Sequence, residues 1–256
     1  MNWLSMASSN APDLHLLLAL WGIVAVSAVF RGFTGFGFAI IAVPLLSLVV
    51  SPMHAVALAT GLQVLGGLAD LSKAARLAHW SSIRWLTVGA VVTSPIGALI
   101  LTWVSPDVAR LLVAASCAAA VAGLSLGLAF RAMPRPPGTI AMGAVAGLFS
   151  GLTAMPGPPA IIYYLAAPLS PAQVRSSLIV FFFFAASAAS VSLMVTGALG
   201  WTEGLQAMVG LPIMVAGSAA GAVLFRRLGG AHRSVSLVTL AVVALLTAIR
   251  GLSGLL

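Results

Sequence analysis

Apolar segments about 20 residues long recur along the whole sequence, and they restrict the fold more than any other feature. A helix of about 20 residues is what crosses the hydrocarbon core of a bilayer. Apolar residues make up 61% of the chain and charged residues 6%, whereas a soluble domain carries about 25% charged residues. The sequence therefore predicts one all-α integral membrane domain over residues 1–256, with about 8 to 10 transmembrane helical segments.

Two of these apolar segments are interrupted by glycine and proline at corresponding places. The first interruption lies within 31–44 and the second within 150–159. Each is followed by a Ser-Pro pair, Ser51-Pro52 and Ser170-Pro171, and the offset between the pairs is 119 residues (170 − 51 = 119). Because Ser-Pro suits the first turn of a helix, a broken segment followed by a new helix is predicted twice.

The positive charges indicate that the second copy of this unit is inverted. Lys and Arg in short loops mark the cytoplasmic side of a membrane protein, and the basic loops here are 73–84, 131–138 and 226–233. The gaps near Asp107 and Glu203 are acidic instead, so corresponding loops of the two halves carry opposite charge. Two inverted repeats are therefore predicted, over about 13–130 and 139–256, with a linker at 131–138.

Several classes of function find no support in the composition. The net charge of +8 does not indicate nucleic-acid binding, because the positive residues fall in short gaps and are not interleaved with aromatics. The four histidines are scattered, and Cys117 is the only cysteine. No spacing suggests a metal site, a nucleophile with its base, or paired carboxylates. We therefore expect no enzyme activity, no metal and no cofactor.

Broken helices within a membrane suggest a binding site. They expose backbone N–H and C=O groups that lipid cannot satisfy, so they are tolerated only inside protein or beside water. The N–H groups at the start of a half-helix suit an anion, and glycine lets a ligand approach the backbone. Paired interruptions of this kind mark transporter sites. If a ligand binds there, Gly35, Gly37 and Gly157 should tolerate alanine less well than Gly89 and Gly210. The alternative is that the glycines and prolines only permit kinks and tight helix packing.

Polar side chains near the interruptions complete the predicted site. Arg31 precedes the first interruption and Arg175 begins the helix after the second. Their guanidinium groups suit oxyanions, although both could instead reach the membrane interface as topology signals. Gln63 would contact either a ligand or another helix, and Asp70 is expected to cap its helix or pair with Lys73. The predicted substrate-binding residues are Arg31, Gly32, Thr34, Gly35, Gly37, Gln63, Ser150, Gly151, Thr153, Gly157 and Arg175.

The two interrupted elements resemble the paired motifs of the TauE/SafE sulfite exporter family. The resemblance covers essentially the whole chain, with Pro-Gly-Pro-Pro here where the family has a glycine-richer run. It implies a multi-pass permease of the bacterial inner membrane that exports sulfite or a related small sulfur oxyanion by alternating access. The motifs are Arg31-Gly32-Phe33-Thr34-Gly35-Phe36-Gly37 with Pro44, and Gly147-Leu148-Phe149-Ser150-Gly151 leading to Pro156-Gly157-Pro158-Pro159.

Two other functions stay open on the sequence alone. Uptake of an organosulfonate such as sulfoacetate or taurine would use the same site in the opposite direction. A membrane enzyme or assembly factor would need catalytic groups that the sequence does not show. The expected partners are a small anionic substrate and the lipid bilayer, not nucleic acid, and a homodimer is left open.

Overall fold

The structure is a computed structural model that describes residues 14–34, 37–125 and 132–228. The last predicted span, 234–251, lies outside these ranges. Within them the chain forms nine helices. These are α1 (Leu14–Thr34), α2 (Phe38–Val49), α3 (Pro52–Ala74), α4 (Trp80–Trp103), α5 (Pro106–Ser125), α6 (Pro136–Thr153), α7 (Gly157–Ala166), α8 (Pro171–Val195) and α9 (Trp201–Leu228).

Five helices in the described part of the chain are long and apolar enough to cross a bilayer. The prediction of a helical membrane protein is thus confirmed. The five segments are His15–Phe33, Pro52–Ala74, Trp80–Trp103, Ala172–Val195 and Trp201–Leu224.

Both interrupted segments contain a short helix, but the breaks are narrower than the predicted ranges 31–44 and 150–159. Gly32 lies within α1, Pro44 within α2 and Gly151 within α6. Helix α2 has 12 residues and α7 has 10. At about 1.5 Å per residue these helices are roughly 18 and 15 Å long. Each can therefore reach only about halfway through a hydrocarbon core of about 30 Å.

The same kind of cap begins the helix that follows each short helix. Ser51 Oγ accepts a hydrogen bond from the backbone N–H of His54 at 3.3 Å, and Ser170 Oγ accepts one from the backbone N–H of Gln173 at 3.3 Å. The Gln173 side chain also accepts from the Ser170 N–H, which completes a capping box. Proline follows each serine and fits the first turn because it has no N–H to satisfy. The repeated Ser-Pro pair is thus a helix start in both halves.

Glycines hold two helix pairs together, α1 with α9 and α4 with α6. A Cβ atom added to Gly32 would overlap the carbonyl oxygen of Ser218, and one added to Gly151 would overlap that of Ser94. Small residues at such interfaces let membrane helices approach closely. Two glycines that the sequence predicts to touch substrate are therefore also required for helix packing.

These two helix pairs are equivalent under the predicted duplication. The offset of 119 residues takes Gly32 to Gly151 (151 − 32 = 119), and an offset of 124 takes Ser94 to Ser218 (218 − 94 = 124). Equivalent residues thus make equivalent contacts in the two pairs. These contacts support the two repeats, whose bounds stay a prediction.

The starts of the helices are distributed between two ends of the bundle. Helices α3 and α9 begin side by side, where His54 Nδ1 lies 3.1 Å from Glu203 Oε1. Helices α4 and α8 begin at the other end, where the His79 backbone N–H donates to Ser177 Oγ at 2.8 Å. Helix α6 begins there too, because its Gly143 packs near the start of α4. We call this second end the basic end, since it carries Lys73, Arg76, Arg84, Arg135 and Arg175.

The first helices of the two halves run in opposite directions. Helix α1 is parallel to α9, because Gly217 packs against Ala28 and Gly221 against Phe33. It therefore begins at the end opposite the basic end, whereas α6 begins at the basic end. This arrangement supports the inverted repeat, which remains a prediction together with the assignment of the basic end to the cytoplasm.

Cysteine labelling tests that assignment. In a Cys117→Ala background, Ser81→Cys and Gly138→Cys should resist a membrane-impermeant maleimide added to intact cells, because both exposed positions lie at the basic end. Ser105→Cys, exposed in the turn after α4, should be labelled and serves as the control. Labelling of only one basic-end cysteine would contradict the inverted topology.

Candidate functional site

The two interruptions meet inside the bundle. Helix α2 begins after Gly37, whose φ of +90° is one that glycine adopts readily. Helix α7 begins at Gly157, and a Cβ atom added there would lie 3.1 Å from Ile40 Cδ1 in the first turn of α2. The described residues of 37–44 and 150–157 are all buried. The first turns of both short helices are therefore neighbours in the protein interior. The start of α2 has N–H groups that lack partners within the helix, whereas at the start of α7 only Gly157 has an N–H, because Pro156, Pro158 and Pro159 have none.

Gln63 supports the second interruption. Helix α6 ends at Ala154, which adopts the left-handed conformation with φ 56° and ψ 17°. The Gln63 Nε2 amide on α3 donates to the carbonyl oxygen of Ala154 at 3.0 Å. The sequence left open whether Gln63 contacts a ligand or another helix, and here it contacts the end of another helix, α6. A side chain of the first half thus fixes the break of the second half.

We expect Gln63→Leu to lower the stability of the protein. The buried carbonyl of Ala154 would lose its donor, which costs about 1–3 kcal/mol. Thermal unfolding of the purified protein, followed by tryptophan fluorescence, measures the loss. Gln206→Leu is the matched control, because Gln206 Oε1 is buried with no hydrogen-bond partner in the described part of the chain. Equal destabilisation by both substitutions would contradict the role given to the Gln63 contact.

The hydroxyl groups predicted as anion donors are engaged with the chain. Ser150 Oγ donates to the carbonyl oxygen of Ala185 at 3.2 Å, and Thr153 Oγ1 donates to that of Phe149 at 2.9 Å. A hydroxyl group has one proton to donate, so neither group can donate to an anion without rotating its side chain. Thr34 is the last residue of α1, and Gly35 lies outside the described residues.

Arg31 and Arg175 line the same cavity, although 144 positions separate them in the sequence (175 − 31 = 144). The cavity has a volume of about 260 Å³ and lies between α1, α3, α8 and α9. Asp70 and Ser218 also line it, and most of the remaining wall is apolar. The structure therefore brings together the two arginines that the sequence predicts to act on one ligand.

Arg31 is held in place by partners on two neighbouring helices. Its Nη2 atom lies 2.8 Å from Asp70 Oδ2 and donates to the Gly66 carbonyl oxygen at 3.4 Å. Its Nη1 atom donates to Ser218 Oγ at 3.3 Å. The expectation that Asp70 caps its helix or pairs with Lys73 is wrong, because in the described part of the chain its carboxylate pairs with Arg31. The Arg31 side chain is 15% exposed and that of Asp70 is 48% exposed.

Arg175 is the second positive charge of the cavity. It lies near the start of α8 with an exposed side chain. In the described ranges it has no hydrogen bond or ion pair. The start of a helix carries partial positive charge. The helix start and the guanidinium group therefore both favour an anion at this place.

The arginine cavity and the paired interruptions are separate parts of the structure. None of the residues that line the cavity belongs to the first turns of α2 or α7. Helix α3 connects the two parts, because it carries Gln63 at the second interruption and Asp70 at the cavity. Seven residues along a helix correspond to roughly 10 Å. The sequence predicted one anion site made of the arginines and the interruptions together. It did not predict that Asp70 and Ser218 are neighbours of Arg31.

The glycines near the interruptions differ from the sequence-based expectation. A Cβ atom on Gly157 would meet only the side-chain ends of Ile40 and Ile161, which can adjust. A Cβ atom on Gly89 would instead overlap the backbone carbonyl of Ile140. The expectation that Gly89 tolerates alanine better than Gly157 is therefore not supported by the packing.

Comparison with known proteins gives the relatives of the chain. A model of the family described as "Sulfite exporter TauE/SafE" matches residues 18–249. A Cupriavidus necator protein named "Probable sulfite/organosulfonate exporter TauE" is 27% identical over 209 residues, which cover 78% of this chain and 80% of that protein. No solved structure matches the chain significantly. The match spans the interrupted segments and the arginine cavity, and the chain therefore belongs to the TauE/SafE sulfite exporter family.

Proposed function

We propose that this protein is a membrane transporter that exports sulfite or a related small sulfur oxyanion by alternating access. The cavity that Arg31 and Arg175 share is the observation that carries the proposal. Guanidinium groups bind oxyanions through paired N–H donors. Membership of the family and the name of the Cupriavidus necator relative support the same class of substrate.

The cavity is suited to a small, partly hydrated anion. Its volume of about 260 Å³ exceeds that of a sulfur atom with three or four oxygens, so ordered water can remain. Arg175 would supply the free guanidinium group, and Arg31 would supply the donors that its three partners leave unused. The substrate would enter this cavity first, because the cavity lies toward the basic end that we assign to the cytoplasm.

The paired interruptions would form a second anion-binding site further into the membrane. There the anion would meet the N–H groups that begin α2, after Gly37, and the single N–H that Gly157 contributes at the start of α7, since Pro158 and Pro159 have none. Gln63 would keep the second of these helix starts in place through Ala154. Moving one half of the protein against the other would then open the path toward the opposite end. We thus propose two anion-binding sites along α3, where the sequence predicted one.

The cellular setting follows from the same proposal. We place the protein in the bacterial inner membrane as a multi-pass permease whose partners are the anion and the surrounding lipid. Uptake of an organosulfonate would use the same groups, but the name of the relative favours export. We assign it no enzymatic step, and a homodimer remains an expectation.

Flux through liposomes tests the proposal. Purified protein reconstituted in liposomes should release trapped sulfite faster than protein-free liposomes, whereas taurine, which also carries an ammonium group, should be released more slowly than sulfite. Arg175→Lys should reduce sulfite release, and Arg84→Lys is the control because Arg84 lies at the same end without lining the cavity. Absence of sulfite flux from correctly folded wild-type protein would overturn the proposed function.

A further inference from the structure

We propose that Asp70 makes the arginine cavity select singly charged over doubly charged oxyanions. This inference rests on the proposed function, because it concerns the charge of the anion that the same cavity accepts. The substrate classes it names are hydrogensulfite and organosulfonates that carry one negative charge.

The side chains that line the cavity carry one net positive charge. The charged side chains among its described lining residues are Arg31, Arg175 and Asp70. Two positive charges and one negative charge leave one net positive charge. A singly charged oxyanion neutralises the cavity, whereas a doubly charged one leaves net negative charge in a largely apolar wall.

Asp70 lies where an anion would bind to Arg31. Its carboxylate lies 2.8 Å from Arg31 and is half exposed in the same cavity. The carboxylate thus occupies one side of the guanidinium group to which an oxyanion would also bind. An incoming anion must bind beside Asp70 or displace it, and both arrangements place like charges near each other.

A doubly charged anion loses more than a singly charged one when it enters this cavity. The cost of removing an ion from water rises with the square of its charge, whereas its attraction to a fixed charge rises only in proportion. One net positive charge therefore compensates a singly charged anion more fully. The positive charge of Arg31 cannot offset the larger desolvation cost of a doubly charged anion, because Asp70 already neutralises that charge.

The experiment measures the binding of two anions with fixed charges. Methanesulfonate carries one negative charge and sulfate two, and both have a tetrahedral sulfur. Their affinities for the purified full-length protein are measured by calorimetry at low salt. The wild-type protein is expected to bind methanesulfonate more tightly than sulfate.

Asp70→Asn should shift the ratio of the two affinities toward sulfate by about tenfold to a hundredfold. The reason is that a doubly charged anion gains twice as much as a singly charged one when a nearby negative charge is removed. Asp70→Glu keeps the charge and should retain the preference for methanesulfonate. Asp107→Asn is the matched control, since Asp107 pairs with Arg110 at the opposite end and should leave the ratio unchanged.

The outcomes separate this inference from the proposed function. If wild type prefers sulfate, or if Asp70→Asn leaves the ratio unchanged, the inference is overturned while anion binding stands. If wild type binds neither of these anions nor sulfite, the proposed function is overturned as well. Should Asp70→Asn fail to fold, Asp70→Ser, which also removes the charge, is measured in its place with the same expected shift toward sulfate.

Discussion

Sulfite should bind about tenfold to hundredfold more weakly to Arg175→Lys than to the wild-type protein. Lysine keeps the positive charge but replaces a planar fork of donors with a single ammonium group. Losing a hydrogen bond to a charged group costs roughly 1.5–3 kcal/mol, and about 1.4 kcal/mol corresponds to a tenfold change. Arg175 has no protein partner among the described residues, so the loss should appear in affinity and not in stability.

Arg31→Lys should show a mixed effect. A lysine could still pair with Asp70, but it could not hold Asp70, Gly66 and Ser218 in the arrangement that the guanidinium group forms. We therefore expect weaker sulfite binding together with a lower melting temperature. The double variant should lose less affinity than the sum of the single losses if both arginines contact one anion.

Calorimetric titration with sulfite separates these expectations from the alternative in which the arginines are only topology signals. Arg84→Lys serves as the control for a charge-conserving change at the basic end. Unchanged affinity in both cavity variants would remove the arginines from the site. The anion would then have only the start of α2 after Gly37 and the N–H of Gly157 to bind it.

Gly89→Ala should destabilise the protein far more than Gly157→Ala. The new methyl group at position 89 would overlap the backbone of α6 at Ile140, so α4 and α6 would have to separate. Overpacking that shifts the backbone costs about 1–3 kcal/mol. At position 157 the methyl group would meet flexible side-chain ends and should be accommodated.

Melting temperature and sulfite flux distinguish packing from ligand contact at these glycines. Gly89→Ala should lower the melting temperature and the yield of folded protein. Gly157→Ala should fold normally and lose flux only if an anion approaches the start of α7. A Gly89→Ala variant that is as stable as wild type would show that α4 and α6 are not packed as described.

The interruptions and the helix starts could be predicted because they depend on local chemistry. Proline lacks an N–H wherever it occurs, so Pro52 and Pro171 start helices in both halves. The site could be predicted only in part. Arg31 and Arg175 were identified because charges are rare in apolar segments, but nothing in the sequence indicated that Asp70 would neutralise Arg31.

The sequence by itself determined the helical membrane fold and the presence of two broken segments. Length, hydropathy and the special backbones of glycine and proline are properties of short stretches, and they act before any packing occurs. Tertiary structure alone decided that Arg31 pairs with Asp70, that Arg175 shares its cavity, and that the arginines lie apart from the interruptions. These contacts join residues on different helices, so they depend on how the helices rotate and approach one another. Glycines such as Gly32 and Gly151 set that approach, and their role became visible only when the opposing backbone was in place.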